Sequence, residues 1–78
     1  MSLATATTLI HISSVAARFL AVGEIIERHH GALFEVVNTP IPHGIDPSRV
    51  VVTCVNEQGG IVALTMHRDV LVKTYDEV

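Results

Sequence analysis

The chain has no tryptophan, one tyrosine and two phenylalanines, so aromatic residues make up only 4% of its 78 positions. Proteins that hold single-stranded nucleic acid stack its bases on aromatic rings. Phe19, Phe34 and Tyr75 offer little for that role. Cysteine is present once, as Cys54, which excludes a disulfide scaffold. Lysine is also present once, as Lys73, and Arg18, Arg28, Arg49 and Arg68 complete the fixed cations. Eight carboxylates outnumber these five, giving a net charge of −3. Nucleic-acid binders gather cations to displace counterions from phosphates, and no such cluster is visible, so nucleic acid is not an expected partner. No apolar run approaches the roughly 18 residues of a membrane span, so no membrane role is expected. Met1-Ser2-Leu3 lacks the charged segment and apolar stretch of a signal peptide. Together with the lone thiol, this predicts a cytoplasmic protein.

What the chain does have is aliphatic content. It is 49% hydrophobic with mean hydropathy +0.47, which excludes a disordered tail. The length fits one small domain over residues 1–78. A domain of this size buries only about 60% of its unfolded surface. Apolar surface in excess of one small core predicts a homo-oligomer, with a dimer favoured. There are five histidines, so full protonation at mildly acidic pH would add five charges and move −3 to +2.

Along the chain the pattern is mostly that of strands. Thr7–Ile12 is β-branched and apolar. Ser14 offers a helix cap, Val15, Phe19 and Val22 recur at helical spacing, and Gly23 offers a stop. At most one short helical turn is expected near residues 14–22. Residues 24–29 and Leu33–Val37 form a hairpin around His29-His30-Gly31, in which Gly31 can take positive φ. Residues 38–48 form a long loop that holds all three prolines, Pro40, Pro42 and Pro47, together with Gly44. Arg49–Glu57 carries a continuous apolar run that predicts burial on both faces. Residues 56–60 form a turn. Ile61–Met66 returns with Val62, Leu64 and Met66 on one face and Ile61, Ala63 and Thr65 on the other. Val70–Tyr75 is the last strand, with residues 1–6 and 76–78 expected to fray. Five or six short strands predict a mostly β fold, a small closed barrel or two packed sheets.

The stretches Leu20-Ala21-Val22-Gly23-Glu24-Ile25-Ile26-Glu27 and Gly31-Ala32-Leu33-Phe34-Glu35-Val36-Val37 carry a family pattern. With the Pro/Gly loop, the two strands around a Gly turn and the closing strand, residues 20–75 resemble SH3-like small barrels. They are similar in particular to the KOW-like N-terminal domain of elongation factor P. The resemblance implies a five- or six-stranded SH3-like barrel. In that family the loop carries a lysine used at the ribosome. Here it reads Pro42-His43-Gly44-Ile45, and the chain is acidic where the family barrel is basic. A ribosome- or nucleic-acid-associated role is therefore the alternative, not the leading reading.

Chemistry-bearing groups are few. His29-His30 could meet a metal only at a turn, because neighbours on a strand face opposite ways. His43, Cys54 and His67 are good zinc-ligand types, but their spacings of 11 and 13 residues match no metal motif. A metal protein is thus a second alternative, and no cofactor is expected. Cys54 lies mid-strand among apolar neighbours, where a thiol is inert. Glu24, Glu27 and Glu35 could meet across the first hairpin, yet a small barrel gives little cleft to desolvate them. The reading is a non-catalytic protein- or peptide-interaction module, and a phage or mobile-element origin would suit it. The proline-bearing loop, with Pro40, Pro42, His43, Gly44 and Asp46, is the candidate binding site.

Overall fold

The computed structural model describes residues 8–77. They form seven strands and one 3-10 turn. The strands are β1 (Leu9–Ala16), β2 (Ile25–Arg28), β3 (Ala32–Val36), β4 (Ile41–Pro42), β5 (Arg49–Asn56), β6 (Ile61–His67) and β7 (Leu71–Glu77). The helical turn, Ala17–Phe19, follows β1. All pairings are antiparallel and belong to one sheet, ordered β1-β7-β2-β3-β5, with β4 and β6 also on β5. One edge of β5 pairs with β6 along its length; the other is shared by β3 near Cys54 and β4 near Val51.

The mostly β expectation holds, with one helical turn in the expected region. Among the described residues, however, the sheet is not closed into a barrel: β1 and β6 do not pair with each other. Several boundaries also differ from expectation. β1 runs through Ser13 and Ser14 to Ala16, so Ser14 is a strand residue and the turn has no side-chain cap. The 3-10 turn buries Ala17, with Leu20 following it into the core, while Phe19 and Val22 are exposed. The Arg18 guanidinium sits 4.4 Å from the centre of the exposed Phe19 ring. Asp76 and Glu77 do not fray; they pair with Ile10 and Leu9. The expected fraying of residues 1–6 and 78 lies outside the described residues.

The core lies on one face of the sheet. Ile26, Val36, Val50, Val52, Cys54, Met66 and Val72 project into it, joined by Ala17 and Leu20. Ile25, equally buried, is on the other side of β2, in register with Glu35 and Tyr75. Thr74 is buried and polar, and its hydroxyl is satisfied. It donates to the Ser13 carbonyl at 3.1 Å and accepts from the Ser13 hydroxyl at 3.0 Å. The bond lies beside a register shift between His11 and Ser13, where Ile12 is the extra residue of a bulge.

The first hairpin turns as the sequence predicts, but at a conformational cost. His29 (φ 43°) and His30 (φ 61°) join Gly31 (φ 85°) in the left-handed region, which side-chain-bearing residues rarely adopt.

Candidate functional site

In an antiparallel ladder, paired residues share a face. On the inner face, Val36, Cys54 and Val62 align, then Val52 with Leu64 and Val50 with Met66. On the outer face, Glu35, Val55 and Ile61 align, then Thr53 with Ala63, and Ile41, Val51 and Thr65. Val37 joins the middle row, since its N–H donates to the Thr53 carbonyl at 2.9 Å.

The outer face of a solvated antiparallel sheet is normally polar. Here it is aliphatic and threonine, with Glu35 on one side and Arg49 and His67 at one end. Ile61 is 76% exposed and Ile41 60% exposed. Ala63 and Thr65 are exposed, and Val37, Val51, Thr53 and Val55 are half-buried. The apolar run Val50–Val55 predicts burial on both faces. Among the described residues the inner face is buried, whereas the outer face is only half-covered. That face is the candidate site.

The loop between β3 and β5 frames one end of it, and its side chains divide into two kinds. His43 and Asp46 hold the loop. The His43 Nδ1 accepts from the backbone N–H groups of Ile45 and Asp46, both at 3.1 Å. The Asp46 Oδ1 accepts from the Ser48 N–H at 3.0 Å and its hydroxyl at 2.6 Å, and Arg49 Nε lies 3.5 Å from Oδ2. These bonds to Ser48, chiefly the hydroxyl, hold the Asp46 carboxyl below its usual range, with Arg49 and His43 adding smaller pulls. The Arg49 N–H closes a turn on the Asp46 carbonyl at 3.0 Å, with Pro47 at the position where its fixed φ suits a turn. Ile41, Pro42 and Ile45 are displayed, Ile45 being 91% exposed.

The predicted site residues therefore play different parts. Pro40 is half-buried. Pro42 lies in β4 opposite Val50, not in an irregular loop. The neighbouring His43 N–H donates to the Arg49 carbonyl, so alternation turns the Pro42 nitrogen away from β5, where a missing donor costs nothing. Gly44 has no positive φ, and a Cβ there would meet nothing within 4 Å. The exposed apolar side chains of this segment that lie outside the predicted set are Ile41 and Ile45. Their signal was aliphatic character inside a segment otherwise made of turn formers.

Replacing Asp46 by alanine is expected to loosen this loop without unfolding the sheet. Amide hydrogen exchange should quicken at Ser48 and Arg49 and stay unchanged in β7. Because the carboxyl is held below its usual range, the same loosening should appear in the unaltered protein as pH falls through that depressed value. Equal exchange in the two proteins at neutral pH would show that Asp46 does not hold the loop.

The other polar groups do not converge. Among the described residues, no three His, Cys, Asp or Glu side chains meet in a way that would hold a metal. The Cys54 thiol is buried and donates to the Val52 carbonyl at 3.7 Å, and burial pushes it up to about 11. The His67 Nδ1 accepts from the Asp69 N–H at 3.1 Å. Glu24 accepts from the Ala21 N–H at 2.6 Å, and Glu27 accepts from the Tyr75 hydroxyl, which raises the phenol above its usual range. The two carboxylates thus have separate partners. A shallow cleft of about 330 Å³ is lined by Ile12, Val22, Gly23, Glu24, Tyr75 and Asp76. No helix among the described residues is long and apolar enough to cross a membrane.

Comparison with known proteins adds no relative. No family model, curated protein or solved structure matches the chain.

Proposed function

We propose that this chain is a non-catalytic protein-interaction module on an SH3-like scaffold, and that it docks the apolar surface of a partner protein on the outer face of β5 and β6. The scaffold reading is supported by β7, which returns to pair with β2 as the closing strand of such a domain does. The docking reading is carried by the outer face itself: Ile41, Val51, Val55, Ile61 and Ala63 stand where a solvated sheet would place polar residues. The adjoining loop adds Ile45. Its backbone is held by its own side chains, so little ordering entropy would be lost when the isoleucine enters a partner's pocket.

The test is a set of aspartate substitutions at exposed positions. Ile41→Asp and Ile61→Asp each put a charge where the partner would have to desolvate it. Each is expected to weaken capture of the partner by at least about tenfold, while leaving stability within about 0.5 kcal/mol. Ile45→Asp reports separately on the loop. Cross-linking in cell extract with unaltered and substituted proteins reads the difference. Identical cross-linked products from the unaltered protein and the Ile41→Asp/Ile61→Asp double variant would overturn the assignment.

A further inference from the structure

An open sheet must deal with its edges, because unpaired N–H and C=O groups are a template for another strand. Among the described residues three edges are open, and two of them are protected. The β1 edge is broken by the bulge at Ile12. The outer side of β4 carries the Pro42 nitrogen, which cannot donate. The β6 edge has neither device. Its sequence, Ile61-Val62-Ala63-Leu64-Thr65-Met66-His67, contains no proline, lysine, arginine or carboxylate. Its register with β5 is unbroken from Ile61 to His67.

The phase of that ladder shows which groups are bare. The Asn56 N–H donates to the Gly60 carbonyl at 2.9 Å. Alternation from that pair turns the backbone groups of Val62, Leu64 and Met66 toward β5 and those of Ile61, Ala63 and Thr65 outward. Among the described residues β6 pairs with β5 alone. Behind the bare edge, Val62 and Leu64 pack against the core but remain half-buried, so the core is open on this side.

We infer that β6 pairs antiparallel with β6 of a second copy about a two-fold axis at Ala63. Ile61 then faces Thr65 of the other copy, and Ala63 faces its own counterpart. The outward groups of both strands form roughly six backbone hydrogen bonds. Val62 and Leu64 of each copy meet the same residues of the other across the open side of the core. The charges at the ends have partners within their own copy: Arg18 and Arg68 are tied to Asp69 at 3.0 and 3.6 Å, and Glu57 accepts from the Leu33 N–H on the β3 side. No charged residue within β6 faces its like. The pairing also joins the outer faces of two copies into one continuous apolar surface, so it extends the docking reading without depending on it.

The experiment is sedimentation equilibrium on the full chain at roughly 1–100 μM, a range that resolves association of moderate affinity. The unaltered protein is expected to be a dimer at the upper end. Ala63→Pro removes one outward donor that β5 does not use, and is expected to weaken association at least about tenfold. Ala63→Lys and Ala63→Glu each place like charges opposite one another and are expected to be monomeric alone, whereas an equimolar mixture of the two should re-form a dimer. Circular dichroism establishes that each variant is folded. A monomeric unaltered protein would overturn the inference. So would a dimer that survives Ala63→Pro but is lost with Ile41→Asp, which would place the contact on the sheet face. Failure of the docking reading looks different: unchanged partner capture by Ile41→Asp, with the β6 dimer intact.

Discussion

Ile26→Ala is expected to cost about 2–5 kcal/mol, the range for truncating a fully buried aliphatic side chain. The total for 78 residues is roughly 4–12 kcal/mol, so one substitution removes a large share of it. Ile26 is wholly inaccessible and lies in the cluster formed by β2, β3, β5, β6 and β7. Its register partners, Phe34 on β3 and Thr74 on β7, hold the backbone on both sides. The site therefore has little freedom to collapse around the lost atoms, which places the expected value in the upper half of the range. Urea unfolding should show a lower midpoint with an unchanged slope. Ile41→Ala, at a 60% exposed position, should move the midpoint hardly at all. A loss below about 1 kcal/mol for Ile26→Ala would contradict the described core.

Cys54 should react with a thiol reagent at least roughly a thousandfold more slowly in the native protein than in the unfolded chain. Two causes combine. The side chain has no solvent access, and burial raises the thiol from 9.0 to about 11, which depletes the reactive thiolate. The same shift predicts a dependence of stability on pH. The folded state holds its proton more tightly, so the unfolded chain binds fewer protons between about 9 and 11, and stability falls as pH rises through that window. Below about 9 the contribution is complete, and above about 11 it is gone. Its size is up to about 3 kcal/mol. Tyr75 is raised as well, chiefly by its bond to Glu27, and adds a decline of the same sign. Cys54→Val separates the two, since it removes the thiol, keeps an apolar side chain in the core and leaves Tyr75 in place. Its stability should fall less steeply with pH than that of the unaltered protein. Equal slopes would show that the thiol is not the titrating group.

Much of the fold was legible because it rests on local signals. Gly31 and the Asn56–Gly60 segment mark turns, and each is a turn in the structure. The Ile61–Met66 alternation separates an inner from an outer face, and Met66 is buried while Ile61, Ala63 and Thr65 are exposed. The misreadings arose where two local signals competed. Ser13-Ser14 suits a helix cap, yet pairing with Lys73 and Thr74 drew both residues into β1. The spacing of Val15, Phe19 and Val22 suggested an apolar helical stripe, but a single 3-10 turn buries Ala17 instead. Within the loop, His43 and Asp46 are polar groups of a kind that can bind a partner, and in the structure both hold the loop backbone. A side chain's partners depend on where the chain doubles back, which composition does not report.

Residue types and their period along the chain already make this an aliphatic, mostly β protein with few aromatics, one lysine and one thiol. Those are properties of residue type and of period along the backbone, and they need no knowledge of distant contacts. Tertiary structure decided that, among the described residues, β1 and β6 do not pair, so the sheet stays open, and that the second face of β5 is half-covered. The physical reason is that burial of a strand is set by what lies across the sheet from it. The same valines would read alike in a closed barrel, a sandwich or an open sheet. Only the register that places Ile41, Val51 and Thr65 in one row turns an apolar composition into an exposed face and a bare edge.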